Sequence, residues 1–271
     1  MIKTMKVTHL ILFTAIALTL SPTALKAQSD DTPLEISADG TLEWNRADSK
    51  LIARGNAKAE QGKSSIQANT LTAHYKKGKN DRVEVSEIVA DGGVIIRAQD
   101  SAAYGSTANY MFDKSIAIMT GSNLRMISSD QVVTAKNRFE YHVDKGKLLA
   151  IGNAVASRPN RKGGKDRLQA DSIAAIFKEN SQGKRVLKSL EARDNVVIST
   201  PTEKITGNYG IFNANTNKAE IKGDVTITRG PNILKGTRAE VDLNTNISRI
   251  FGDKDKPGGR VKAVFYPGSE E

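Results

Sequence analysis

Three patterns in this chain of 271 residues point to an all-β architecture of serial antiparallel hairpins. The first is a spacing: an aromatic residue is followed eleven positions later by glycine at Trp44–Gly55, Tyr110–Gly121, Tyr141–Gly152 and Phe212–Gly223, and Val241–Gly252 is a fifth copy with an aliphatic start. Self-similarity at a fixed interval in a polar, glycine-rich chain is the mark of a stacked or serial β fold. The second is two-residue alternation about a central glycine. The third is the lack of sustained helical periodicity or of a good capping box anywhere in the sequence.

Taken from the start, the first 27 residues read as a secretory leader. Lys3 and Lys6 give a basic start, an apolar run extends from Val7 to Leu20, and Ser21-Pro22 leads into a short stretch ending at Ala27, after which cleavage is expected. The apolar run, about 14 residues, is short of the roughly 20 that a membrane-spanning helix needs. Strands with a central glycine follow at 51–60 (LIARGNAKAE), 148–157 (LLAIGNAVAS) and 219–228 (AEIKGDVTIT). Around Gly223, Ala219, Ile221, Val225 and Ile227 share one face, as in a half-buried strand; the glycine marks a bend, a bulge or a close approach. A second segment type runs up to an aromatic, ending at Tyr75 and at Phe177. In it the apolar face changes parity, from Ile66 and Ala68 to Leu71, Ala73 and Tyr75, as one bulged residue would cause. Turns are expected at Gln61-Gly62-Lys63, Ser128-Ser129-Asp130, Asn215-Thr216-Asn217, Gly230-Pro231-Asn232 and Asn244-Thr245-Asn246.

The segments recur at an offset of 102: Tyr75 with Phe177, Gly105 with Gly207, Tyr110 with Phe212, and 88–96 with 190–198. Two related stretches are therefore expected, about 34–140 and 141–243, within a body spanning 28–267, with a closing segment and a flexible tail at 268–271. The repeated aromatics are expected to pack over glycines of neighbouring strands.

Composition narrows the function. There is no cysteine, so no disulfide, thiol nucleophile or thiolate metal site. Outside the leader the histidines are His74 and His142, each beside a strand-end aromatic, which makes a weak metal case; no metal and no cofactor are expected. No nucleophile elbow, phosphate-binding loop or dinucleotide fingerprint is present, and the acids are scattered at turns, so no enzyme and no catalytic residues are expected. The net charge is +10, three of it from Lys3, Lys6 and Lys26 in the leader. In an exported chain such basicity favours anionic lipid or glycan over nucleic acid.

In combination these features resemble the LptA/OstA family of periplasmic lipopolysaccharide-transport proteins. Pro33-Leu34-Glu35-Ile36-Ser37-Ala38-Asp39 is similar to the family's opening strand, Gly55-Asn56-Ala57 and Gly152-Asn153-Ala154 to its Gly-Asn-Val/Ala step, and Gln67 to Tyr75 to its Ile-x-Ala-Asp stretch. Gly252-Asp253-Lys254 through Arg260-Val261 to Pro267 is similar to its closing strand. The chain is longer than familiar members, with an extra hairpin series expected around 104–165.

The resemblance implies an elongated, twisted, half-open antiparallel β-jellyroll with an apolar interior, located in the periplasm. It implies lipopolysaccharide, through its lipid A moiety, as cargo. The implied partners are an inner-membrane LptC-like protein, an outer-membrane LptD-like translocon and further copies of the chain, head to tail. The inward residues that the repeat nominates for lipid contact are Ile36, Leu42, Ala57, Val94, Ile96, Met119, Leu124, Ala154, Val196, Ile198, Ile221, Val225 and Ile227; the alternative is that they fill a closed core. Assembly edges are expected at Leu34 and Ile36 in the first strand and at Val261, Ala263 and Phe265 in the last. The competing reading is a structural or glycan-binding periplasmic β-solenoid without lipid transport.

Overall fold

The computed structural model describes residues 33–77, 83–98, 101–128, 131–159, 164–181, 185–242, 244–245, 247–253 and 259–266. The expected leader and tail lie outside the described residues, as do Ser129, Asp130, Asn246, Lys254 and Pro267. The described chain divides into two compact units: residues 33–154 with 176–186, and residues 155–175 with 187–266.

The first unit opens with β1 (Glu35–Ser37), β2 (Thr41–Asn45), β3 (Lys50–Gln61), β4 (Ser64–Lys77), β5 (Val83–Ala98) and β6 (Ser101–Met111). After a 3-10 turn at Phe112–Lys114 come β7 (Ile116–Thr120), β8 (Arg125–Ser128), β9 (Gln131–Thr134), β10 (Arg138–His142) and most of β11 (Lys147–Pro159). Every register described is antiparallel, which stacked solenoid coils would not show.

The recurrent spacing has a simple origin. The aromatic pairs with the residue seven positions on: Trp44 with Leu51, Tyr110 with Ala117, Tyr141 with Leu148. Four residues make the turn between, and the last of them (Ser49, Ser115, Gly146) takes positive φ, closing a tight hairpin. Four residues further along the return strand stands the glycine, and there the strand bends.

At the bend one strand spends two residues against one on its neighbour. Gly55-Asn56 face Asn69, and Gly92-Gly93 face Asn69 on one side and Ser106 on the other. This is a β-bulge repeated strand after strand, and it sharpens the local twist. Inward parity is kept through β3 (Leu51, Ala53, Ala57, Ala59) and switches in β4 between Ala68 and Leu71, as the sequence pattern requires. Side chains tie the column together: Asn56 Nδ2 donates to Asp39 Oδ2 at 3.0 Å, and the Thr107 and Thr120 hydroxyls lie 2.7 Å apart. Gly92 has no alternative here, because its φ is +82° and a Cβ would lie 2.6 Å from Asn69 Nδ2.

The glycines are thus approached by Asn69, Ser106, Asn137 and Asn208, and at Gly105 by Met119 and Leu124. The expectation that aromatics cover them is corrected: the fixed hairpin length holds each aromatic a full limb away from the bend.

The second unit takes in residues 155–175 and 187–199 of β11, β12 (Lys165–Glu179) and β13 (Arg185–Ser199). It continues through β14 (Lys204–Asn213), β15 (Lys218–Arg229), β16 (Asn232–Asp242), β17 (Ile247–Phe251) and β18 (Lys262–Val264). The same device recurs: Phe212 pairs with Ala219, Asp194-Asn195 face Asn208, and Gly223-Asp224 face Asn208 and Thr237. Leu190, Phe212, Ala219 and Val241 form one buried row, and Ile198, Ile205 and Ile227 another beyond the bend. Each unit by itself is therefore a bent antiparallel sheet with an apolar inner face, the construction of a half-open β-jellyroll.

One acid sits against this grain. Glu203, at the β13–β14 turn, has a side chain only 7 % exposed, and burial pushes its carboxyl up although Arg229 stands 4.0 Å away. Because its folded pKa is raised, the ionised form costs stability at neutral pH, and the cost vanishes once the unfolded state is protonated too. Glu203→Gln is expected to raise the melting temperature at pH 7 and to lose that advantage near pH 4, about the ordinary glutamate value, as thermal melts at both pH values will show. At the bend, Gly93→Ala has open space and should cost about 1 kcal/mol for its left-handed backbone. Gly92→Ala adds a collision with Asn69 and should cost about twice that or more in urea unfolding.

Candidate functional site

The bend brings the two limbs of the first unit's sheet to face one another, and between them lies a cavity of about 800 Å³. On one limb the inward row Ala59, Ile66, Ile96, Ala103 and Met126 runs across β3, β4, β5, β6 and β8 in register. On the other, Ala108, Met119 and Phe139 form one row and Ile88, Tyr110, Ala117, Tyr141 and Leu148 the next. Each of the three rows contains alanine among its large side chains: Ala59 and Ala103 in the first, Ala108 in the second and Ala117 in the third. The lining is mostly hydrocarbon, and burial pushes the Tyr110 and Tyr141 phenols up, so both stay neutral.

The rim differs between limbs. One carries Gln61, Ser64, Ser65 and Leu34; the other carries the exposed Lys76, Glu84, Asp113 and Asp144. Lys76 Nζ pairs with Asp113 Oδ1 at 2.9 Å. The wall behind Tyr141 is pinned by Arg185, whose Nη1 donates to Tyr141 Oη at 2.5 Å and to the Val143 carbonyl at 2.9 Å. No group of metal-ligating side chains occurs among the described residues.

Of the nominated inward residues, Ile96 and Met119 line the cavity. Ala57, Val94, Leu124 and Ala154 are buried close to the bend. Val196, Ile198, Ile221, Val225 and Ile227 are buried inside the second unit. Ile36 is half-buried opposite Ala59. Leu42 lies in the inward row opposite Ala53, yet 53 % of it is exposed, because among the described residues of its unit β2 pairs with β3 alone and no further row covers it. Trp44 beside it is 60 % exposed, its indole N–H donating to Tyr75 Oη at 2.8 Å. The second unit ends in the same way: β17 and β18 both pair along β16, and Ala263, Val261, Val264, Phe265 and Tyr266 are exposed.

Comparison with known proteins places this geometry. The family described as LptA/(LptD N-terminal domain) LPS transport protein matches the chain twice, over residues 35–147 and 137–247. The chain belongs to this lipopolysaccharide-transport family. It is also similar to an uncharacterized protein of Rhizobium meliloti (strain 1021), with 24% identity over 178 residues that make up 63% of this chain and 91% of the other. Among solved structures it aligns with LptH, the LptA-homologous periplasmic component of the lipopolysaccharide transport device of Pseudomonas aeruginosa. That alignment covers 87% of this chain and 96% of the other at 11% identity, with a TM-score of 0.21.

For a member of this family, the sequence reading missed most of the cavity wall: Tyr110, Phe139, Tyr141, Met126 and Leu148. Tyr110 and Tyr141 stood in the aromatic–glycine spacing and Leu148 in a glycine-centred strand, so their inward parity was readable. The charged rim had no sequence signal, since it gathers residues from four separate segments. Arg185→Met keeps the side-chain stem while removing both donors from the cavity wall. It should cost about 1–3 kcal/mol in denaturant unfolding.

Proposed function

We propose that this chain holds the acyl part of lipopolysaccharide against its apolar inner face and passes it across the periplasm. In this reading the cargo moves from an inner-membrane LptC-like partner to an outer-membrane LptD-like translocon, along a head-to-tail bridge of copies. The observation that carries the reading is the first unit's cavity, walled by hydrocarbon from both limbs and rimmed by polar groups. Each methylene left in water costs about 0.8 kcal/mol, so a multi-acyl lipid in transit needs a covered path. Family membership supports the same cargo.

The edges support the bridge. Among the described residues, inward rows that stop at Leu42 in one unit and at Ala263 in the other leave apolar side chains and unpaired strand backbone of the kind that strand addition uses. Such a contact between unlike edges is heterologous and builds open chains of copies rather than closed dimers. No nucleotide-binding loop is present in the sequence, so energy for lipid extraction is assigned to partners.

Native mass spectrometry with lipopolysaccharide and with its deacylated form tests the cargo: adducts with the acylated ligand alone support the reading, and adducts with both or neither sink it. Ile96→Asp, a charge in the cavity wall, should lower acyl-dependent binding at least about tenfold, the effect of roughly 1.4 kcal/mol. Phe265→Asp, at a side chain 64 % exposed, should leave binding intact and shorten the ladder seen on crosslinking.

A further inference from the structure

Charge is divided unevenly over the outer face of the second unit's sheet. On the limb that carries Leu190, Phe212, Ala219 and Val241, cations and carboxylates neutralise one another. Arg193 pairs with Glu191 at 2.5 Å, Lys222 and Arg238 each with Glu220 at 3.1 Å, and Lys218 with Asp242 at 3.3 Å. On the limb that carries Ile198, Ile205 and Ile227, the described outward positions hold Lys165 and Arg167 in β12, Lys204 in β14, Lys235 in β16 and Lys262 in β18. All five are exposed, and no carboxylate stands among those positions.

The acids of this limb are engaged elsewhere: Asp166 is buried against Arg158 at 3.2 Å and Glu203 against Arg229 at 4.0 Å. Asp171, Asp194 and Asp224 stand at the bend. The adjoining undescribed residues, 160–163, 254–258 and 267–271, contain four cations and three acids, so even all three acids would leave the five cations in excess. Lys235 and Lys262 are moreover direct cross-strand partners. Like charges so placed repel and cost stability.

The registers run unbroken from Val196–Ser199 through Lys204–Thr206 and Val225–Arg229 to Asn232–Gly236. Cations on β12, β14 and β16 are thus spaced by two strands, about 10 Å, with Val197, Thr206 and Thr226 between them. Such dispersed charge offers a small anion no constellation to fit. It suits a fluid surface whose anionic groups diffuse to each lysine. Beside the lysine pair, Ile233 and Val264 are also cross-strand partners on the outer face, and Val264 is 48 % exposed. Apolar side chains next to cations favour the interfacial layer of a bilayer over a hydrated acidic glycan.

We infer that this outer face of the second unit docks on an anionic lipid bilayer, with Lys204, Lys235 and Lys262 at head-group phosphates and Ile233 and Val264 against the interface. The contact uses neither the cavity nor the inner face.

The test is cosedimentation of the purified chain with vesicles of phosphatidylcholine alone or of equimolar phosphatidylcholine and phosphatidylglycerol. The chain should bind the anionic vesicles alone and be released in salt near about 0.5 M, where charges are screened. Lys204→Gln, Lys235→Gln and Lys262→Gln together should weaken binding on the order of a hundredfold, about fivefold (roughly 1 kcal/mol) per charge. Arg193→Gln, Lys218→Gln and Lys222→Gln remove the same charge from the paired limb and should weaken binding less than about fivefold in all. Lys235→Gln should not lower the melting temperature, since it relieves a like-charge pair, so lost binding is not lost folding. Equal binding to both vesicles, no binding to either, or equal losses in the two triple variants overturns the inference. Retention on immobilised alginate that the first triple variant loses, without vesicle binding, assigns the face to an acidic glycan and overturns it too. Acyl-dependent lipopolysaccharide adducts should persist in that variant, so this inference and the transport reading fail separately.

Discussion

Everything in this fold hangs on one backbone event: at mid-length a strand places two successive residues in the left-handed region where its neighbour spends one. Gly55-Asn56, Gly92-Gly93, Gly152-Asn153, Asp194-Asn195 and Gly223-Asp224 are the pairs. For an ordinary L-residue the left-handed conformation costs roughly 1–2 kcal/mol, so the pairs are made of glycine, asparagine and aspartate, which tolerate it. Across from them stand Asn69, Ser106, Asn208 and Thr237, short side chains that fit close against the bulged backbone. Without the bend each sheet would be flat and its apolar face open to water. With it, each sheet turns that face onto itself.

The hairpins serve the bend. Four-residue turns set the aromatic and its partner at a constant distance from the column, so inward rows align across the strands without register slips. Near the column the rows are small and tightly packed, as at Ala57, Ala68 and Val94, where the limbs converge. Further out, in the first unit, alanines stand beside Phe139, Tyr110 and Met126 in their rows, and the cavity lies between the limbs there. In the second unit Phe212 and Ile221, which match Tyr110 and Met119 at the offset of 102, are almost wholly buried.

An open sheet of this kind keeps edges that most proteins blunt. Here the terminal strands bear Leu34, Leu42 and Trp44 in one unit and Val261, Val264, Phe265 and Tyr266 in the other, all exposed. Charges do flank them, with Arg54 paired to Glu43 at 2.8 Å beside Leu42, but such surface pairs contribute little stability. Exposed apolar edges are an aggregation hazard in a monomer; under the proposed head-to-tail bridge they are its assembly surface.

How much of this was legible follows from how local each feature is. The bends were readable at Gly55-Asn56 and Gly152-Asn153, the parity switch at Ala68–Leu71, and the hairpins from the aromatic–glycine interval, because backbone conformation and alternation depend on near neighbours. The family was readable from the order of those motifs. That Ile96 and Met119 line the first unit's cavity was not readable, since they show the same alternation as the core residues Ile221 and Val225. Leu42 likewise carried the same pattern as a core residue, although an edge strand has nothing to cover it. By itself the sequence determined strand, bend and inward face, all set by local sterics and two-residue periodicity. Only the tertiary structure decided which inward residues face a void, and which charges from Lys76 to Asp144 share its rim, because both depend on the distance between limbs that meet far apart in sequence.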